Sequence, residues 1–99
     1  MDKEKEKNIY RRAIKVWGKQ AQMLQVVEEM SELTKEIIKN VMRHKDNLDA
    51  IIEEAADVEM MLCQLKICYD IEQKVADYKD GKLQMLDARV AEWEAKTEK

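Results

Sequence analysis

Residues 19–43 read KQAQMLQVVEEMSELTKEIIKNVMR. The stretch contains neither proline nor glycine, and most of its residues are good helix formers. At about 100° per residue from Glu29, Val26, Met30, Leu33, Ile37 and Val41 fall at roughly 40–120°. Met23, Leu24, Val27, Ile38 and Met42 carry the apolar arc on to roughly 220°. Gln22, Gln25, Glu29, Glu32 and Glu36 line one edge of that arc. The spacing predicts an amphipathic helix from about Lys19 to Arg43 with a polar stripe of two amides and three acids beside its apolar face. Glu28 lies off the stripe.

On the N-terminal side, Gly18 suits the end of a preceding helix, since glycine tolerates the backbone found there. Ile9, Ala13, Ile14 and Trp17 recur at helical spacing and predict that short helix. Residues 1–7 alternate lysine with acids and read as frayed. On the C-terminal side, His44 to Asn47 reads as a turn, with Asp46 or Asn47 as the next N-cap. A third helix follows from about Leu48 to Asp70. With Glu54 as origin, Ala50, Ile51, Val58, Met61, Leu65 and Cys68 fall within about 60° of it, and Asp57 sits at the rim. Glu53 and Glu59 point elsewhere. Beyond Ile71 the chain continues helical, with Val75, Tyr78, Leu83, Leu86, Val90 and Trp93 as a looser stripe. Asp80-Gly81 is a candidate break in it. Residues 95–99 read as frayed.

The whole is one all-α domain spanning 1–99, a compact four- to five-helix bundle. A chain of 99 residues buries a modest core, so a homo-oligomer is expected. Charged residues make up 39%, but the net charge is only −3, which offers no basic field for nucleic acid. No apolar run is long enough to span a membrane, and the charged N-terminus lacks a signal peptide's apolar core. The expected location is cytoplasmic. Cys63 and Cys68 lie in an apolar helical run and read as reduced core thiols.

The chemistry lies in the acids. Glu29 and Glu32, and again Glu54 and Asp57, stand three residues apart, which stacks each pair on one helix face. Two such pairs on adjacent helices would bring four carboxylates together. Glu54 points from the middle of an apolar stripe, where a carboxylate is costly unless it is paired, protonated or metal-bound. Four hard oxygen ligands suit Mg²⁺, with Mn²⁺ as a substitute. The only histidine, His44, lies outside both motifs, and no Glu-x-x-His pair is present, which argues against a di-iron bundle and against catalytic zinc. Trp17 is a candidate to stack on a nucleobase, and Gln22 and Gln25 share the stripe of Glu29 and Glu32, placing them to read a base edge. Lys82 and Arg89, seven apart on one face, are candidates to hold phosphate.

At Glu28-Glu29-Met30-Ser31-Glu32 and Glu54-Ala55-Ala56-Asp57, led in by Trp17-Gly18-Lys19-Gln20-Ala21-Gln22, the chain resembles the MazG-like family of all-α nucleoside triphosphate pyrophosphohydrolases. The resemblance covers roughly residues 9–93. It implies a helical bundle that forms homodimers or homotetramers, with more than one subunit bounding the active site. It implies that Glu29, Glu32, Glu54 and Asp57 ligate Mg²⁺, and that NTP or dNTP is hydrolysed to NMP and pyrophosphate. Glu28 and Glu53 flank the motifs as candidate catalytic groups, and Lys82 and Arg89 match basic residues that follow the third helix. The residues also admit a non-catalytic helical-bundle interaction module, whose acids make only salt bridges.

Overall fold

A computed structural model describes residues 1–97. The described chain forms four helices, α1 (Lys3–Trp17), α2 (Lys19–Arg43), α3 (Leu48–Cys68) and α4 (Glu72–Thr97). Helix α1 begins inside the stretch expected to fray. Asp2 caps it by accepting the Lys5 N–H at 2.8 Å, and Glu4 and Glu6 in the first turn complement the helix dipole. At the other end α4 runs to Thr97, so residues 95–97 are helical too; 98 and 99, also expected to fray, lie outside the described residues.

Gly18 ends α1 and begins α2. Its N–H donates to the Ile14 carbonyl at 2.8 Å, and its own carbonyl accepts the Gln22 N–H at 3.1 Å. Its φ of 91° is open to glycine and strained for other residues. Helix α2 ends at His44 with φ 54°, and the chain turns back through residues 44–47. Asn47 stands at the N-cap of α3, but its side chain makes no capping bond. Its Nδ2 reaches back instead to the Glu36 carbonyl at 2.9 Å and to Glu36 Oε1 at 3.1 Å. Lys39 pairs with the same carboxylate at 3.1 Å. These two amide and ammonium donors hold the Glu36 carboxyl below its ordinary value. The α2–α3 hairpin is thereby pinned at its closed end. At its open end Lys19 of α2 lies over the Tyr69 ring at 4.3 Å.

Helix α1 packs on both α2 and α3. Each of the three contributes one buried apolar residue: Tyr10, Val26 and Met61. Of the expected face of α1, Ala13 and Ile14 are half-buried while Ile9 is 41% and Trp17 66% exposed, and Tyr10 is the residue that is fully buried. A tyrosine can bury its ring because its hydroxyl finds Glu6 Oε1, one turn back, at 2.6 Å.

After α3 the backbone turns at Asp70, φ 53°, with Ile71 N–H bonded to the Lys66 carbonyl and Asp70 N–H to that of Ile67. Helix α4 then leaves the bundle. It packs on α3 alone, and an ion pair of 3.1 Å joins Lys7 of α1 to Glu72 in its first turn. Every residue from Glu72 to Thr97 is exposed. The helix is unbroken at Asp80-Gly81, where a break was expected. The result is three packed helices with a projecting arm, not a closed four-helix bundle. The radius of gyration is 17.4 Å, where a compact chain of this length has about 13 Å.

Candidate metal centre

The hairpin of α2 and α3 sets the acids face to face. Glu29 stands on α2, and Glu54 and Asp57 stand one turn apart on α3. Each of the three offers a carboxylate oxygen lying within 4.8 Å of the others, and all three side chains are half-buried. Gln25 Nε2 donates to Glu29 Oε1 at 3.1 Å, which helps to hold that carboxylate in place. Glu54 sits at the centre. Its Oε2 is buried and has no hydrogen-bond partner. Its pKa is raised, first by the loss of water around it, then by the negative charges of Glu29 and Asp57, with Glu32 adding to them.

A buried acceptor oxygen with no donor needs something electropositive. Three convergent carboxylates, with no lysine or arginine paired to them among the described residues, form a group that could hold a metal ion, and their hard oxygen donors suit a divalent cation. The residues therefore fit Mg²⁺, with Mn²⁺ as the close alternative.

Three of the four predicted ligands converge. Glu32 is exposed and stands outside the trio, close enough for its charge to act on Glu54. Glu28 and Glu53 are exposed and likewise outside it. Of the two amides on the stripe, Gln25 touches the site and Gln22 is half-buried with no bond to it. Trp17 lies on the outer side of α1, in a shallow apolar hollow with Ile9, Arg12, Ala13 and Val16. Lys82 and Arg89 lie on the projecting α4, where with Met85 and Leu86 they line a shallow hollow of the helix surface. Among the described residues no ion pair joins either of them to the acids.

Two polar residues went unsignalled in the sequence. Gln64 of α3 is buried, with Nε2 on Met61 Sδ at 3.6 Å and Oε1 without a partner. Tyr10 and Cys63 line a hollow of about 280 Å³ together with Lys3, Lys7, Lys66 and Glu72. The i to i+4 spacing of Glu6 and Tyr10 was the available signal for a satisfied buried hydroxyl.

No protein-family profile, curated protein or solved structure matches this chain.

Proposed function

We propose that the chain is a Mg²⁺-dependent nucleoside triphosphate pyrophosphohydrolase of MazG-like type, converting NTP or dNTP to NMP and pyrophosphate. The observation that carries this reading is the trio of Glu29, Glu54 and Asp57 around the unpartnered Oε2 of Glu54. These residues would hold the cation, and Gln25 would keep Glu29 turned toward it. Bound Mg²⁺ would neutralise charge on the phosphate oxygens and acidify a water for attack on the α-phosphorus. Glu32 stands at the margin of the trio, where it adds negative charge. Glu28 and Glu53 remain candidates for handling the water's proton from the flanks.

Glu29, Glu54 and Asp57 are half-buried, each keeping some access to solvent. Leu24, Val27, Ile38 and Val41 leave an apolar face of α2 exposed, at 61%, 61%, 49% and 61%. These features support a homodimer or homotetramer in which a second copy helps enclose the substrate.

The test is pyrophosphate release from a panel of NTPs and dNTPs with Mg²⁺, comparing wild type with Glu54→Gln and Asp57→Asn. Release that needs Mg²⁺ and falls by orders of magnitude in both variants supports the reading. No release from any substrate, or undiminished release in both variants, overturns it.

The exposed apolar faces also favour a second reading, a non-catalytic helical interaction module. Under it Mg²⁺ leaves the melting temperature unchanged; a metal that binds only the folded chain must raise it.

A further inference from the structure

Helix α4 is 26 residues long, about 39 Å of helix, and its apolar side chains face solvent. Leu83, Leu86, Val90 and Trp93 are 51%, 50%, 46% and 64% exposed. Their spacing is 3, 4, 3, which is the a/d alternation of a heptad repeat. With Leu83 at a, the next a positions are Val90 and Thr97, and the d positions are Leu86 and Trp93. The flanks then sort by sign. The e positions are Asp80, Asp87 and Glu94, all acidic; the g positions are Lys82, Arg89 and Lys96, all basic. Gly81 falls at f, away from the seam, so its missing side chain costs no seam contact.

This pattern selects both a partner and a direction. In a parallel pair of helices, g faces the e position five residues on in the partner. That places Lys82 opposite the partner's Asp87, and Arg89 opposite the partner's Glu94, each pair occurring twice by symmetry. In an antiparallel pair, g faces g and e faces e, so bases would meet bases and acids would meet acids. Among the described residues Lys82, Asp87 and Arg89 have no ion-pair partner in their own chain.

We propose that residues 82–97 of α4 form a parallel two-stranded coiled coil with a second copy of this chain. The seam is Leu83, Leu86, Val90 and Trp93, and the direction is set by the e/g charges. Two heptads make a short coil, so the association depends on concentration. The arrangement carries both three-helix bodies to the same end of the coil. It gives Lys82 and Arg89 an interhelical role in place of phosphate binding, and it stands whether or not the acids hold a metal.

The test is disulfide cross-linking of the full chain under mild oxidation. Thr97→Cys puts a thiol at a seam position that a parallel pair brings face to face. Ala95→Cys puts one at f, on the outside, and the unmodified chain, with Cys63 and Cys68, gives the background. Thr97→Cys is expected to cross-link about tenfold or more faster than Ala95→Cys. Adding Lys82→Glu, Arg89→Glu and Lys96→Glu should remove that advantage, since e and g then carry one sign. An equimolar mixture with Thr97→Cys chains bearing Asp80→Lys, Asp87→Lys and Glu94→Lys should restore it. Circular dichroism of each variant checks that helix content is kept. Cross-linking at Thr97 no faster than at Ala95, or equally fast after charge reversal, overturns the proposal. So does preferential linkage of Lys79→Cys to Thr97→Cys, the antiparallel product.

Discussion

Replacing Tyr10 by phenylalanine should leave two marks on stability, one at neutral pH and one that appears only in alkali. The ring is 4% exposed, and its hydroxyl donates to Glu6 Oε1 at 2.6 Å. Phenylalanine keeps the ring and loses a hydrogen bond to a carboxylate, which is worth about 1.5–3 kcal/mol. At pH 7 the variant should therefore be less stable by about that amount, a Tm lower by about 4–8 °C for each kcal/mol in a domain of this size. The second mark comes from the proton. Burial of the ring, and then the bond to Glu6, push the Tyr10 pKa well above its ordinary value, with the charges of Cys63 and Glu6 adding to the effect.

The folded chain therefore keeps the Tyr10 proton at pH values where the unfolded chain has lost it. The stability tied to that proton is intact below the unfolded value of about 10 and falls as pH rises beyond it, by about 1.4 kcal/mol per pH unit for one group. The substituted ring has no proton to lose. The deficit of Tyr10→Phe should thus shrink above pH 10 and close within about one to two pH units, given a starting gap of about 1.5–3 kcal/mol. Urea unfolding followed at 222 nm from pH 7 to 11.5 measures the gap directly. A gap that stays constant across that range would refute a buried, neutral Tyr10.

Four further substitutions probe the scaffold and the flanks of the site. Gly81→Ala should raise Tm by about 4–8 °C, because an exposed helix-interior glycine costs about 1 kcal/mol against alanine and an added Cβ meets nothing within 4 Å; a scanning calorimeter reads it, and a lower Tm would show that the helix is broken there. Asn47→Ala removes the clamp on the Glu36 carbonyl and carboxylate and should lower Tm by about 5 °C, with less loss at pH values low enough to protonate Glu36, whose lowered pKa contributes stability only above its titration. Glu28→Gln and Glu53→Gln should leave the Mg²⁺-induced rise in Tm within error of wild type, as neither side chain belongs to the trio; loss of the rise in either would place that residue among the ligands.

The limits of α2 were legible because Gly18 and the polar turn at His44–Asn47 bracket an uninterrupted run of helix formers. The continuity of α4 was not, since a glycine weakens a helix by only about 1 kcal/mol and its neighbours outweigh it. The spacing of α1 places Ala13 and Ile14 on its packed face, but hydropathy ranks Ile9 and Trp17 above Tyr10 and takes no account of a hydroxyl satisfied by Glu6. An apolar stripe announces that a face needs cover without saying what covers it. For that reason the stripe of α4 looked like the fourth side of a bundle, yet the helix projects. The same holds at the site. The periodicity of α3 placed Glu54 on an apolar stripe and Asp57 at its rim, and these are where the carboxylates meet. Which acid of α2 faces them depends on how the two helices rotate against each other, and that rotation brings Glu29 in and leaves Glu32 outside.

The chain neutralises its other partly buried acids. Glu36 has Lys39 and Asn47, and Glu6 has the Tyr10 hydroxyl. Glu54 has two like charges and an oxygen without a donor. If that arrangement exists for a cation, it works against the fold whenever the cation is absent. Glu54→Leu should then raise Tm in EDTA, because the apolar side chain suits the stripe of Ala50, Ile51, Val58 and Met61 and relieves the repulsion. The same variant should lose the rise in Tm that Mg²⁺ gives the wild type, so that the order of stabilities reverses between EDTA and saturating Mg²⁺. A purely structural carboxylate would behave the other way: Glu54→Leu would destabilise in EDTA, and Mg²⁺ would move neither protein. Thermal melts of the two chains in the two buffers separate the cases, and a destabilised variant beside a Mg²⁺-insensitive wild type would end the metal reading.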